Sequence, residues 1–479
     1  MILDSKKKIN KINIPIYIFI FFSVGLLLYT HYKSEFIYNS SRLNQYLIYY
    51  LFSICSIICF SFLLFFNSEI KKNFLLFIIT MTLLVYVSEG IVRVIFKNSE
   101  NLVKKNKKIR VNRANIIMDK YGLEIDTRSP MQVKKDLKKD GVDVSLLITP
   151  YRMIETEGIK IYDSKLNKIF PLAGLSKKFY VGGAESGEYK FYTTDRYGFN
   201  NSDDDWDKKI FITLIGDSFT HGGYLDFANN FTGVLKRIST KPVLGLGQPN
   251  NGPLLELATL KEYAKKINPS IILWMYYEGN DLIEIIDEKK SVTLNKYFSK
   301  NYSQNLINKQ SLIDRSYSKF VEERISELDQ KNNLENDQSD TSVLSVIKLQ
   351  KIREILFTKL FDKIRHRENI KSTQFLRDVL AEAKRETDLF GAKLYFVYLP
   401  SASRFLVDNK NVLKENDYFR KEVIDIVDEL DIGFIDIYEE LFKYHENPLS
   451  FYHFSMYSHY NKKAVEEISQ EIYKQVLNN

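Results

Sequence analysis

Three long apolar stretches occupy the N-terminal part of the chain. They cover about residues 14–30, 46–66 and 74–92, and each approaches the ~20 residues with which a helix crosses a bilayer. The first stretch has no clear small-residue cleavage site and two more follow it, which favours a retained anchor over a signal peptide. The sequence therefore predicts three transmembrane helices in a membrane anchor of residues 1–96.

From about residue 208 the pattern changes to short apolar runs that alternate with longer amphipathic stretches. Runs of this length, separated by helical patterns, predict a parallel sheet that is covered on both faces. We therefore expect a three-layer α/β/α domain over residues 206–479. The candidate strands are Phe211–Ile215, Val243–Leu246, Ile271–Tyr276, Lys393–Leu399 and Phe434–Ile437.

Two regions lack this alternating pattern. Residues 97–205 begin with a basic linker and continue with turn residues and short strand-like runs, so a mixed, mostly extended region is expected there. A charged insertion at about 286–365 interrupts the α/β pattern. Its centre, Lys331–Ser339, is rich in Asn, Asp and Gln and predicts a mobile loop.

The charge balance limits the classes of partner. The chain has 68 Lys and Arg against 60 Asp and Glu, a net charge of +8, and such a mixture gives little support for nucleic-acid binding. The membrane is the expected partner of the anchor. The basic run after the third apolar stretch fits either acidic lipid or glycan, or a solvated linker, and the solvated linker is the plainer interpretation.

The orientation of the anchor is left open by two groups of basic residues. Lysines before the first stretch favour a cytoplasmic N-terminus, and the basic run at 97–113 favours a cytoplasmic C-terminal side; three spans cannot satisfy both. Because the first helix usually dominates, we expect a multi-pass membrane protein with its catalytic domain outside the cytoplasm.

The cysteines give no framework for the predicted domain. Cys55 and Cys59 both fall in the second apolar stretch. Small apolar packing is favoured over a metal or redox pair, because further cysteines are absent. No metal site is predicted.

A serine follows the first predicted strand of the sheet, in the run Gly216-Asp217-Ser218. Ligands bind at the carboxyl edge of parallel sheets, where loops present unpaired backbone donors. Ser218 is therefore either a nucleophile or an ordinary N-cap of the next helix. A nucleophile needs a base and donors for an oxyanion.

The next two strand ends carry candidate donors. A turn at residues 247–252 follows the second strand, and Asn280 with Asp281 follows the third. A backbone N–H in the turn, at Gly247 or Asn250, and the Asn280 amide can each face an oxyanion. Any one of these turns is commonplace, but three on consecutive strand ends are harder to explain by structure alone.

The base comes from a short list, since the chain has six histidines. His221 is too close to Ser218 along the chain to reach back as its base. His459 lies just before a predicted C-terminal helix that would brace its loop. We favour His459 and keep His453 as the alternative; a zinc pair of the two lacks further ligands.

These residues resemble the SGNH, or GDSL-like, hydrolase superfamily, whose name gives its Ser, Gly, Asn and His. The resemblance covers roughly residues 190–478 and includes Asp195-Arg196-Tyr197-Gly198-Phe199-Asn200, similar to a lead-in of some anchored members. It implies a flavodoxin-like fold with Ser218 as nucleophile and His459 as base. It further implies an oxyanion hole built from Ser218, Asn280 and either Gly247 or Asn250.

One departure concerns the acid of the triad. The family often has Asp three residues before its histidine, where this chain has Met456. The orienting group for His459 is thus unidentified, with a main-chain carbonyl, Asp436 or Glu446 as candidates and Asp217 and Asp281 as supporting residues.

Two functions follow. The first is a membrane-tethered serine esterase or O-acyltransferase that acts on acyl, especially acetyl, esters of cell-envelope glycans. The second is a weak or inactive glycan-binding or assembly component of polysaccharide machinery, suggested by the missing acid. No cofactor is predicted, because no nucleotide loop, metal cluster or covalent-cofactor motif is evident in the sequence.

Overall fold

The computed structural model describes residues 11–37, 43–95, 102–161, 168–337, 349, 372–406 and 410–477. The chain forms two compact units. The first comprises residues 1–99 and 340–358, and the second comprises residues 100–339 and 359–479.

The first unit contains three long apolar helices. They are α1 (Asn13–His31), α2 (Leu43–Leu63) and α3 (Ser68–Ile95). Each contains a segment long and apolar enough to cross a membrane, and large apolar side chains such as Phe21 and Leu76 lie on their surfaces. An apolar exterior of this kind suits lipid rather than water.

The region before the central sheet contains more helix than the sequence pattern predicts. Two helices, α4 (Leu102–Tyr121) and α5 (Pro130–Lys139), occupy much of the expected linker. The rest carries short strands, including a hairpin of the last two. These strands are β1 (Ser145–Leu146), β2 (Ile159–Lys160), β3 (Lys168–Ile169), β4 (Phe179–Val181) and β5 (Phe191–Thr193).

A five-stranded parallel sheet forms the centre of the second unit. Its strands are β6 (Ile212–Gly216), β7 (Val243–Gly245), β8 (Ile271–Tyr277), β9 (Lys393–Leu399) and β10 (Gly433–Asp436). They lie in the order β7-β6-β8-β9-β10, all parallel. Counted along the chain this is 2-1-3-4-5, the flavodoxin-like order, with the chain reversing direction across the sheet beside β6.

Helices follow these strands and cover the sheet. They are α6 (Ser218–His221), α7 (Phe231–Ser239), α8 (Pro253–Thr259), α9 (Lys265–Ile267), α10 (Asp281–Glu288), α11 (Val292–Asn295), α12 (Gln310–Asp337), α13 (372–390), α14 (Ser403–Leu406), α15 (Lys410–Glu429) and α16 (Lys462–Leu477).

Two apolar cores flank the sheet. On one face α7 and α16 pack against alternate residues of the strands, such as Leu214 and Leu273. On the other face α8, α13 and α15 pack against Ile215 and the fully buried Trp274. Burial of both faces explains why the strands are continuous apolar runs. The predicted three-layer α/β/α fold is confirmed.

The charged insertion is mainly helical in its described part. The helix α12 runs through Asp337, so the expected loop at Lys331–Ser339 is wrong over most of its length. Its last two residues lie outside the described residues.

Candidate active site

Ser218 lies directly beyond β6, where the strand order reverses. The N-cap of the following turn is Asp217, whose carboxylate accepts a hydrogen bond from the Phe219 N–H at 2.8 Å. The Ser218 side chain is therefore not the helix cap. Its hydroxyl lies 2.8 Å from His459 Nε2, the distance expected between a nucleophile and its base.

His459 reaches Ser218 from the loop before α16. The adjacent Tyr460 is buried and donates its hydroxyl to the Pro400 carbonyl at 2.6 Å, while Asn461 caps α16 through the Ala464 N–H. The imidazole stacks on Tyr224, with ring centroids 4.1 Å apart. These contacts fix the ring, so the preference for His459 agrees with the geometry.

The acid beside His459 is Glu185, which the sequence did not single out. Its Oε1 lies 2.8 Å from His459 Nδ1, and its Oε2 accepts the His459 backbone N–H at 2.7 Å. Glu185 lies in the loop of the β4–β5 hairpin, within the region expected to lead into the catalytic domain. Ser218, His459 and Glu185 thus form a continuous hydrogen-bonded chain.

The hairpin loop is anchored to the turn that carries Ser218. Gly183 N–H donates to the Gly223 carbonyl at 3.0 Å, just beyond α6. Any side chain at Gly182 would collide with the same carbonyl. The glycines therefore allow the close backbone approach that brings Glu185 to His459.

Glu185 and His459 each shift the pKa of the other. Burial opposes ionisation of Glu185, but the neighbouring His459 imidazole and its hydrogen bonds lower the pKa of Glu185 to about 2. Burial alone would lower the pKa of His459, whereas Glu185, with a smaller contribution from Asp217, raises it above its ordinary value. The glutamate therefore stabilises the protonated form of the imidazole.

The other histidines near the site make no described side-chain hydrogen bond with Ser218. His453 is buried beside Tyr224, and burial lowers its pKa to about 4. His221 accepts the Gly223 N–H at 3.2 Å, and burial lowers its pKa to about 3. Both are thus neutral residues that pack around the site.

The two acids proposed from the sequence to orient His459 lie elsewhere. Asp436, at the end of β10, forms an ion pair with Arg420 and accepts the Glu439 N–H. Glu446 is solvent-exposed and makes no described contact with His459. Both suggestions are wrong, because Glu185 already occupies the position beside Nδ1.

The predicted oxyanion donors lie on the loops after β7 and β8. Gly247 packs beneath the nucleophile's turn, where an added Cβ would lie 2.5 Å from His221 N and 2.8 Å from the Asp217 carbonyl oxygen. Asn250 is exposed at the sheet edge and adopts a left-handed φ of 63°. Glycine adopts this conformation without steric cost, so a glycine would fit at position 250.

Asn280 is the N-cap residue of α10, but its side chain makes no capping hydrogen bond. Burial raises the pKa of the Asp217 and Glu284 carboxyls, and hydrogen bonds from the Asn280 side chain oppose that rise, so Asn280 lies beside the turn that carries Ser218. Asp281 is buried and accepts the Tyr277 N–H at 2.9 Å, securing the end of β8. Asp281 therefore supports the position of Asn280.

The helix α10 also holds the loop after β7. Glu288 accepts the N–H groups of Gly252 at 2.7 Å and Leu254 at 2.8 Å, while Glu284 accepts a long contact of 3.4 Å from Asn250 Nδ2. The two candidate donor loops are thereby joined through one helix.

Residues 195–201, which include the lead-in segment, hold the loops of the candidate site in place. Buried Asp195 accepts four hydrogen bonds, including one from Trp206 Nε1 at 2.7 Å. Asn201 exchanges two hydrogen bonds of 2.9 Å with the Gly245 backbone, and Asn200 donates to the His221 carbonyl. These residues hydrogen-bond to the ends of β7 and α6. Among the described residues, no group of three or more acidic, His or Cys side chains could hold a metal ion.

The sequence matches no protein-family model and no curated protein. Solved structures similar to this chain include the acetyl xylan esterase AlAXEase, at 8% identity and a TM-score of 0.31, covering 56% of this chain and 100% of that one. TesA is 9% identical with a TM-score of 0.31, covering 56% and 98%.

A third similar structure is a protein assigned to the G-D-S-L lipolytic family from Desulfitobacterium hafniense DCB-2. It is 15% identical with a TM-score of 0.26, covering 55% of this chain and 98% of that one. A shared activity does not follow at such identity. The chain is an α/β protein with the flavodoxin-like strand order that the SGNH resemblance implies.

Proposed function

We propose that this protein is a membrane-tethered serine esterase or O-acyltransferase, with Ser218, His459 and Glu185 as its catalytic residues. The observation that carries the proposal is the hydrogen-bonded chain from Ser218 Oγ through His459 to Glu185. Such a chain converts a weakly nucleophilic hydroxyl into one that attacks carbonyl carbon.

The reaction proceeds through an acyl-enzyme. Ser218 Oγ attacks the ester carbonyl while its proton passes to His459 Nε2, and the ester C–O bond then breaks as the imidazolium protonates the leaving alkoxide. Water or a sugar hydroxyl next attacks the acyl-serine, giving its proton to His459, which returns it to Ser218 Oγ. Hydrolysis and transfer differ only in this second nucleophile.

The oxyanion hole of the proposal contains the Ser218 and Asn250 N–H groups and the Asn280 amide. These groups share the sheet edge that follows β6, β7 and β8. Each donor of this kind typically contributes about 10²–10³ in rate. Gly247 instead lets the 217–221 turn pack closely, because it has no side chain.

The proposed substrates are acyl esters, especially acetyl esters, of cell-envelope glycans, outside the cytoplasm. Support comes from the three apolar helices, which would hold the site near a membrane, and from the resemblance of residues 195–200 to the lead-in of anchored SGNH members. An envelope polysaccharide assembly is the corresponding partner. The alternative, a weak or inactive component, rested on the lack of an identified acid. Glu185 supplies an acid in this proposal, so that reason for the alternative no longer applies.

The test uses the full-length chain in detergent micelles with p-nitrophenyl acetate, butyrate and octanoate. We expect release of p-nitrophenol by the wild type, fastest with acetate, and a fall of about 10³-fold or more in kcat for Ser218→Ala and His459→Ala. His453→Ala is the matched control and should retain activity. Equal rates for the wild type and Ser218→Ala with all three esters would refute the proposal.

Adding cellopentaose separates the two outcomes of the acyl-enzyme. A transferase would produce acetylated oligosaccharide, detected by mass spectrometry, at the expense of acetate. A hydrolase would release acetate alone.

A further inference from the structure

The helix α4 is the first element of the second unit, and it begins a few residues after α3 along the chain. Most of its described side chains, at residues 108–121, are exposed, but Ile117 is fully buried and fixes the helix to the domain. Arg113 lies four residues before this anchor and Tyr121 four residues after it, each about one helical turn away. Both make polar contacts with the loops of the candidate active site.

Arg113 contacts the loop that carries the acid. Its Nη2 donates to the Glu185 main-chain carbonyl at 3.2 Å. The segment directly after α4 extends this contact, since Asp126 N–H donates to the Gly187 carbonyl at 2.8 Å and the Tyr189 hydroxyl donates to the Arg128 carbonyl at 2.7 Å. The Glu185 loop is therefore bound along one side by α4 and the residues that follow it.

Tyr121 contacts the loop that carries the base. Its hydroxyl donates to the Phe454 carbonyl at 3.1 Å, and the two rings pack with centroids 5.7 Å apart. Phe454 and Ser455 both adopt left-handed backbone conformations, with φ of 55° and 54°. Such conformations cost energy in non-glycine residues and persist only where surrounding contacts impose them.

We infer that Arg113 and Tyr121 are positioning residues, through which α4 holds the Glu185 loop against the His459 loop. The effect of this positioning on the reaction rate rests on the proposed function, whereas its effect on the Glu185 loop does not. The carboxylate of Glu185 must lie within hydrogen-bonding reach of His459 Nδ1, and displacement of about 1 Å in such a group costs up to ~10² in rate. Neither residue needs to touch substrate.

The variants are Arg113→Met, which removes the guanidinium but keeps a helix former, and Tyr121→Phe, which removes only the hydroxyl. In full-length protein in detergent, we expect kcat for p-nitrophenyl acetate to fall about 10–100-fold for Arg113→Met and less for Tyr121→Phe, with KM unchanged. Arg237→Met is the matched control, since Arg237 also donates to a main-chain carbonyl, that of Ala228, but on α7.

A double-mutant cycle separates positioning from general destabilisation. In a Glu185→Gln background, Arg113→Met should have little further effect on kcat, because both changes disable the same interaction. A full, independent loss in that background would overturn the inference. So would wild-type kcat in Arg113→Met.

Hydrogen–deuterium exchange distinguishes failure of this inference from failure of the proposed function. Peptides covering 182–190 should exchange faster in Arg113→Met than in the wild type, and Arg237→Met should leave them unchanged. Faster exchange in a protein without esterase activity would support the positioning role while refuting the function. Unchanged exchange would overturn the positioning role whatever the activity.

Discussion

The contact between Glu185 and His459 Nδ1 determines the tautomer of the imidazole. An ionised carboxylate can only accept hydrogen bonds, so Nδ1 carries the proton and donates it to Glu185 Oε1. In the neutral ring Nε2 then holds a lone pair, and the Ser218 hydroxyl 2.8 Å away donates to it. The ground state is thus prepared for transfer of the serine proton to Nε2.

Glu185→Gln should preserve the size of this side chain while removing its charge. We expect kcat to fall about 10²–10⁴-fold, because the amide cannot stabilise the imidazolium and permits the wrong tautomer. Glu185 raises the pKa of His459, so its loss should lower that pKa and move the acid limb of the kcat/KM profile to lower pH. Steady-state rates measured across the pH range test both effects.

Glu446→Gln is the matched control for this substitution. It makes the same chemical change at an exposed residue that has no described contact with the imidazole, and it should leave both kcat and the acid limb unchanged. An unaltered pH profile in Glu185→Gln, or a shift in Glu446→Gln, would show that the acid has been misassigned.

The sequence could supply the serine and the histidine but not this glutamate. Ser218 and Asn280 each follow an apolar run that marks a strand end, and His459 precedes a helix with a clear apolar stripe. Glu185 lies 274 residues before His459 in a glycine-rich turn that also contains the similar Glu188. Its role depends on how a hairpin docks on the sheet edge, which no local pattern encodes.

Among the elements of the fold, the loop between β7 and α8 has two positions that differ in the side chains they can accept. Gly247 lies beneath the 217–221 turn without room for a side chain, whereas Asn250 lies at the exposed edge in a conformation open to glycine. Gly247→Ala should therefore displace the nucleophile's turn, while Asn250→Gly should keep the proposed backbone donor in place.

We expect Gly247→Ala to destabilise the protein by about 1–3 kcal/mol and to lower kcat, and Asn250→Gly to keep kcat within a few-fold of the wild type. Thermal denaturation and steady-state kinetics in detergent measure the two effects. A large loss of kcat in Asn250→Gly would mean that the asparagine side chain, rather than its main chain, acts in the site.

The sequence predicts elements that carry a local apolar pattern and misses elements that depend on contacts with distant residues. The five sheet strands are recovered to within about a residue at each end because burial on both faces leaves continuous apolar runs. The helix α4 escapes detection because it is mostly polar and Ile117 is its one fully buried residue among those described. Its stability depends on tertiary contacts rather than on an amphipathic pattern.

At the scale of the whole molecule, an odd number of membrane spans would place the two ends of the chain on opposite sides of the bilayer. Basic residues flank both ends of the anchor, so the two groups of charges favour opposite orientations. Large domains translocate with little regard to their charge, so the lysines before α1 should set the orientation. The proposed glycan substrates require the same outcome.

Fusion of alkaline phosphatase after residue 479 should therefore give an active reporter, since this enzyme folds only outside the cytoplasm, and fusion of green fluorescent protein there should give little fluorescence. Replacing the lysines at positions 6, 7, 8 and 11 by glutamine should lower phosphatase activity, because it leaves the basic run after α3 as the stronger cytoplasmic signal. The matched control replaces the lysines of α16, at positions 462, 463 and 474, and should change neither reporter. A fluorescent, phosphatase-inactive fusion of the unaltered chain would place the Ser218 site in the cytoplasm and exclude envelope glycans as its substrates, while leaving its ester chemistry intact.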